Sequence, residues 1–336
     1  MKTIIPILAA GALAAGLFAG AAAAAQTTLK MAHSYTPGNI WYEAGEAYKK
    51  AIEERTGGKV KVAIDHSRTT GDWPQQIEGL LIGTNDIVIQ SVGALDRYNI
   101  IAGIEAYPYL IHDLDHFKKV FYGPLGKELY DEIAKKTRFK IIGAGYRGAR
   151  PLTARRNWPR VADLKALKMR VPPLKMYRLT WEYLGASPVP MGAAELFTSL
   201  QQGVVDGQEN PLEVVEMLKL NEVQKYVIET AHIIGAMTFI FSDQRFRSLP
   251  ADLQKILQEE GNRVMLEATA EMEKLEEKLK SDLIAKGMTF TPVNRDEWRG
   301  KARQRRRREG EMVRVPHREP LHECGTAGAG DRLPGA

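Results

Sequence analysis

Two neighbouring runs decide how this chain is read: LKALKMRVPP at residues 164–173 and LGASPVPMGAAELFTSLQQGVVDGQENP at 184–211. With a helix marked by Leu174, Tyr177, Leu179 and Trp181 between them, the stretch reads strand, helix, strand, helix, strand. The first strand covers 168–171 and stops at Pro172 and Pro173. The last holds Val204 and Val205 and stops at Pro211, since proline cannot donate to a ladder. The second helix, over 194–202, ends at Gly203. In open α/β sheets ligands sit in the crevice at the carboxyl ends of strands, which brings Arg170 and Asn210 to one cleft. Arginine is informative there. Its guanidinium is always charged and offers a planar fork of donors that matches a carboxylate, which lysine imitates poorly. Asp206 and Glu209 lie close by, but no nucleophile, metal set or phosphate loop accompanies them, so they read as strand and turn structure and no catalysis is expected.

Outward from this stretch the same α/β alternation continues. TTLKMA reads as a first strand ending at His33 before the turn formers Thr36 to Asn39. His33 is there either a structural histidine bonded to loop backbone or a ligand contact. A helix over 41–55, a strand over 59–65 and a helix over 74–81 follow. Asp72 precedes that last helix as its N-cap, or faces the cleft as an acceptor for ligand hydroxyls. The strand over 86–90 ends in Gln90, whose amide both donates and accepts. HDLDH at 112–116 spaces two histidines like a metal helix but lacks the zinc-helix glutamate, and Asp115 suits the cap of a helix over 115–121. After a helix over 124–136, a strand over 139–145 ends in GYRGAR (145–150); Arg147, Arg155 and Arg156 read as solvated surface or lobe-to-lobe contacts. An apolar strand over 232–241 precedes a long helix over 250–286. That helix carries Met272, Leu275, Leu279 and Leu283 in 3-4-4 spacing and is interrupted at Gly261.

Length and charge narrow the class. The 336 residues exceed what one small core organises, so two lobes are expected. The net charge of +6 is concentrated at the ends: residues 301–336 hold nine Lys/Arg against five Asp/Glu, and Lys2 adds one more. The body, 26–300, is left near neutrality, without the basic footprint of a nucleic-acid binder. Residues 1–25 read as a signal peptide, with Lys2, an apolar run and small residues suited to cleavage near Ala25, too short and Ala/Gly-rich to span a bilayer. Cys324 is the single cysteine, which leaves no disulfide within the monomer, no cysteine-held metal and no lipid anchor at the new N-terminus.

KMRVP, LGASPVPM and LQQGVVDGQENP, together with Thr56 to Lys59, Gly83 to Asp86, Tyr107 to Leu110 and LNEVQKY (220–226), resemble in their order the periplasmic solute-binding component of tripartite ATP-independent periplasmic (TRAP) transporters, the DctP type. The resemblance covers about residues 28–293. It implies an α/β, two-lobed, periplasmic binding protein-like (type II) fold with a long lobe-bridging helix. Lobe I would comprise 26–147 and 236–270, and lobe II 148–235 and 271–300. It further implies an exported monomer that captures an organic acid and delivers it to membrane permease subunits, without cofactor, metal or nucleic acid. Arg150 falls where the family often carries a carboxylate-binding arginine, giving a double clamp of Arg150 and Arg170 beside Asn210. His33, Asp72 and Gln90 would face them and suit hydroxyls, hence a sugar acid such as a uronate or aldonate. A four-carbon dicarboxylate or keto acid is the alternative ligand, and an exported hydrolase or lyase of acidic sugars the alternative class. Some relatives carry a ligand-covering aromatic where this chain has Ala193.

After Trp298 hydrophobic periodicity is lost in an Arg-rich tail, set at 301–336 and read as a shifted reading frame or a rewritten end. The resemblance implies a closing helix with aromatic residues there instead.

Overall fold

The computed structural model describes residues 26–165 and 167–309, with side chains to Arg303. The expected cleavage near Ala25 and the tail beyond residue 309 lie outside the described residues. In the first half, β1 (Thr27–Ala32), β2 (Val60–Asp65) and β3 (Ile87–Ser91) are parallel and joined by α1 (Ile40–Arg55) and α2 (Trp73–Ile82). Next come α3 (Leu114–Phe121), α4 (Pro124–Lys136) and β4 (Phe139–Ala154). The stretch that opened the reading folds as β5 (Lys168–Val171), α5 (Lys175–Leu184), β6 (Ser187–Pro190), α6 (Leu196–Gln202) and β7 (Gly207–Glu209). Its last strand therefore begins after Val204 and Val205. The described chain closes with α7 (Leu212–Met217), β8 (Tyr226–Ser242), α8 (Asp243–Ser248), α9 (Ala251–Ala285), β9 (Thr289–Thr291) and α10 (Arg295–Glu309).

The strand order is β2-β1-β3-β8-β4-β7-β5-β6, with β9 beside β8. β4 and β8 run antiparallel through both halves: Phe139 to Ile142 pair with Phe239 to Ser242, and Leu152 to Ala154 with Tyr226 to Ile228. Apolar periodicity builds a core on each side of this crossing. Trp41, Tyr48 and Ile52 of α1 pack with Ile89, Phe239 and Met265 in the first half. Met169, Trp181 and Ile228 pack together in the second. α9 places Met265 and Met272 in the first core and Leu283 against Val227 and Met288 in a smaller, separate cluster.

Four expectations change. Gly261 does not interrupt α9; a Cβ there would come within 2.5 Å of Ile142, so glycine is what lets helix and sheet approach this closely. The segment after residue 145 is not the end of β4 but a bulged continuation of it. The pairing slips between Tyr146 and Ala149, around Gly148 at φ +81°. Side chains three apart in a regular strand face opposite ways, and this bulge is what lets Arg147 and Arg150 line one cavity. In addition, α10 continues nine residues into the segment read as a tail. Trp298 and Ala302 are buried in the second core beside Trp181, with Trp298 Nε1 donating to the Pro159 carbonyl at 3.3 Å. At α3, Asp113 and not Asp115 is the cap, accepting from His116 N at 2.7 Å. Among the described residues no cluster of His, Cys, Asp or Glu could hold a metal ion, and no helix is long and apolar enough to cross a membrane.

Candidate functional site

A cavity opens between the two halves, where the bulge of β4 meets the carboxyl ends of β5 and β7 and the loops after β1 and β2. Ser34, Tyr35, Arg68, Asp72 and Trp73 form one wall, and Arg170, Tyr177, Ala193 and Asn210 the other, with Arg147 and Arg150 at the base. Pro172, Pro173, Leu174, Val214, Met217 and Leu218 add apolar lining.

Four guanidiniums converge here and three are already matched. Arg150 is gripped by Glu209, through Nε to Oε2 at 2.5 Å and Nη2 to Oε1 at 2.8 Å, and also donates to Asn210 Oδ1 at 3.0 Å. Its guanidinium lies 5.1 Å from the centre of the Tyr177 ring. Burial raises the Glu209 carboxyl, but Arg150 and the hydrogen bond from His232 outweigh it and bring its pKa to about 2. Arg147 pairs with Glu213 at 3.1 Å and lies over Tyr35 and Trp73, 4 % exposed, so it is not the solvated surface residue the sequence suggested. Arg68 pairs with Asp72 at 3.2 Å.

Arg170 differs. It is 3 % exposed and makes no ion pair among the described residues. Two of its N–H donors, Nε and Nη2, go to the Met191 carbonyl at 3.0 and 2.7 Å. Burial lowers its pKa from 12.5 to about 10; Glu209 offsets this in part and Arg150 reinforces it. A buried cation without a counter-charge is costly, and a bound anion would relieve that cost.

The residues singled out from the sequence divide into two sets. Arg150, Arg170, Asn210 and Asp72 line the cavity; His33 and Gln90 do not. Asp72 occupies the cap position of α2 without capping it, and instead accepts from the Ala193 amide at 3.1 Å across the cleft. Trp41 Nε1 makes a second such crossing to Glu213 Oε1 at 3.2 Å. Gln90 sits one relay behind the wall: its Nε2 donates to Gln76 Oε1 at 2.8 Å, and Gln76 Nε2 donates to Ser34 Oγ at 3.2 Å. Asp206 accepts from Lys168 N at 2.9 Å, tying the start of β5 to the residue before β7.

His33 is buried under α1. Its Nδ1 accepts from Tyr35 N at 3.3 Å, and a Cβ at Gly45 would lie 3.3 Å from Nε2. Burial, and then neighbouring His66, lower its pKa from 6.5 to about 4; burial is also the main reason that His232 is lowered. With folded values below the unfolded one, the unfolded chain takes up protons first as pH falls. This contribution to stability is therefore full above about 6.5 and is lost between 6.5 and about 4. Urea midpoints are expected to fall across that window, and less steeply for His33→Gln. A level midpoint would contradict the burial argument.

Arg68, Arg147, Ser34 and Tyr35 were not picked out from the sequence as site residues. Arg68 and its neighbour Ser67 have φ of +63° and +56°, a left-handed pair of non-glycine residues that turns Arg68 into the cleft. Periodicity carries no signal for such a turn.

Comparison with known proteins gives consistent results. Residues 31–309 match the profile of "Bacterial extracellular solute-binding protein, family 7", DctP. A solute-binding protein of Roseobacter denitrificans is 34% identical over 299 residues, covering 87% of this chain and 90% of that protein. The sialic acid-binding periplasmic protein SiaP of Vibrio cholerae is 31% identical over 275 residues, covering 82% and 86%. A crystal structure of a TRAP periplasmic solute-binding protein from Roseobacter denitrificans with bound L-galactonate superposes with a TM-score of 0.80 at 31% identity, over 84% of this chain and 93% of that one.

Proposed function

This chain belongs to the bacterial extracellular solute-binding proteins of family 7, the solute receptors of TRAP transporters, and we propose that it captures a sugar acid in the periplasm and presents it to a membrane permease without altering it. Arg170 carries the reading as the one cleft guanidinium without a carboxylate partner among the described residues. The ligand carboxylate completes that charge. Asp72, Asn210, Ser34 and Arg68 offer acceptors and donors for hydroxyls, taking the part first assigned to His33 and Gln90. The L-galactonate bound in the Roseobacter structure supports this class over a simple dicarboxylate.

Cleft closure is the working step. We place the hinge at residues 147/148 and 235/236, where β4 and β8 cross between lobe I (26–147 and 236–270) and lobe II (148–235 and 271–300). The bulge at Gly148 supports that position. A ligand favours the closed form only as far as it binds that form better than the open one. The Asp72–Ala193 and Trp41–Glu213 contacts add to the closed form from the protein's side.

A thermal-shift screen of the mature protein against aldonates, uronates, four-carbon dicarboxylates and keto acids tests the proposal. Binding to the folded state raises the melting temperature by mass action. The largest rise is expected for an aldonate or uronate, recovered chemically unchanged after incubation. A rise confined to succinate-like acids, or turnover of the bound acid, would overturn it.

A further inference from the structure

We infer that the cleft is built for an acid with one carboxylate and rejects the matching dicarboxylate, a claim that rests on the sugar-acid reading above. The argument is the pairing of charges around the cavity. Arg68, Arg147 and Arg150 are held by Asp72, Glu213 and Glu209 at 3.2, 3.1 and 2.5 Å, while Arg170 has only the Met191 carbonyl. Four cations and three anions leave room for one negative charge. Two further carboxylates lie outside the lining: Glu105, occupied by Ser91 Oγ and the amides of Gly93 and Ala236, and Glu195, which sits near Gly192 but is exposed to solvent.

A ligand with a second carboxylate would bring a fifth charge into this set. That group would meet either the apolar lining residues Leu174, Val214 and Leu218 or an arginine that already has its anion. To pair, it must displace Glu209 or Glu213, which are buried, or Asp72, which is about one-fifth exposed. In a partly buried site an unmatched charge is disfavoured. Asp72 is the weakest of the three holds and so the position that sets this selectivity.

Matched pairs of acids test the count, because an aldonate and its aldarate differ only in a terminal CH2OH against a carboxylate. Galactonate with galactarate, and gluconate with glucarate, are titrated calorimetrically into the full mature chain. The better aldonate is expected to bind roughly a hundredfold tighter than its aldarate, the scale of one unmatched charge in a partly buried site. Asp72→Asn frees Arg68 and keeps an oxygen that can accept from the Ala193 amide. It is expected to shrink the ratio about tenfold, mainly through tighter aldarate binding. Should that variant fail to melt cooperatively, Arg68→Gln with wild-type Asp72 is the counter-test: it removes a cation and is expected to widen the ratio. Equal binding of both acids by the wild type, or a ratio indifferent to Asp72→Asn and to Arg68→Gln, would overturn the charge count while leaving the sugar-acid reading intact. Binding of neither member of either pair, and of neither glucuronate nor galacturonate, would overturn both.

Discussion

Arg170→Met is expected to weaken binding of the sugar acid by roughly 10- to 150-fold while leaving the melting temperature of the ligand-free protein unchanged or raised. The two halves of this result have one cause. A hydrogen bond to a charged group is worth about 1.5–3 kcal/mol, which sets the loss of affinity. In the free protein the same guanidinium is buried with no carboxylate, only the Met191 carbonyl, as partner among the described residues. Replacing such a charge by an apolar side chain of similar length removes a desolvation cost. Arg170→Lys should recover little affinity, because a point charge cannot reproduce the fork that spans Met191 and the ligand. Calorimetric titration and thermal melts of the same preparations read both quantities. Unchanged affinity would remove Arg170 from the site, and a collapsed melting temperature would make it structural.

Glu209→Ala is expected to act in the opposite sense, costing roughly 3–5 kcal/mol of stability, because it strands a buried Arg150. It also takes from His232 Nε2 its partner at 3.2 Å. The wild-type contribution has a pH window of its own. The folded carboxyl lies near 2 against an ordinary 4.5, so the stability is present above about 4.5 and lost as pH falls toward 2. Urea denaturation at pH 7 measures the loss, and Arg150→Met/Glu209→Leu together should recover most of it. A loss below about 1 kcal/mol for Glu209→Ala would mean that the pair is solvated and Arg150 free to serve as a second clamp.

Much of this architecture was legible because it is punctuated. Pro172, Pro173, Gly203 and Pro211 delimit elements whose apolar spacing is regular, and β5, α5, β6, α6 and β7 follow in the order that spacing predicts. Glycine misled where it serves packing. Gly261 looked like a break and is a close approach; the segment around Gly148 looked like a strand end and is a bulge. The burial of Arg147 was not legible because what buries it, Glu213, Tyr35 and Trp73, comes from distant parts of the chain. For the cavity wall the limit was direction. A strand end places a residue near the crevice without fixing which way its side chain turns, and so Ser34 faces the cleft while His33 packs beneath α1. Asp72 was a cap by position and a cross-cleft acceptor by bonding, a difference that depends on where Ala193 lies, 121 residues away in sequence.

The most direct test is a crystal structure of the mature protein grown with whichever acid gives the largest thermal shift. The account predicts one ligand carboxylate within about 3 Å of the Arg170 guanidinium, with the Glu209–Arg150 and Glu213–Arg147 pairs intact. A carboxylate seated on Arg147 or Arg68, with Arg170 still bonded only to Met191, would contradict it.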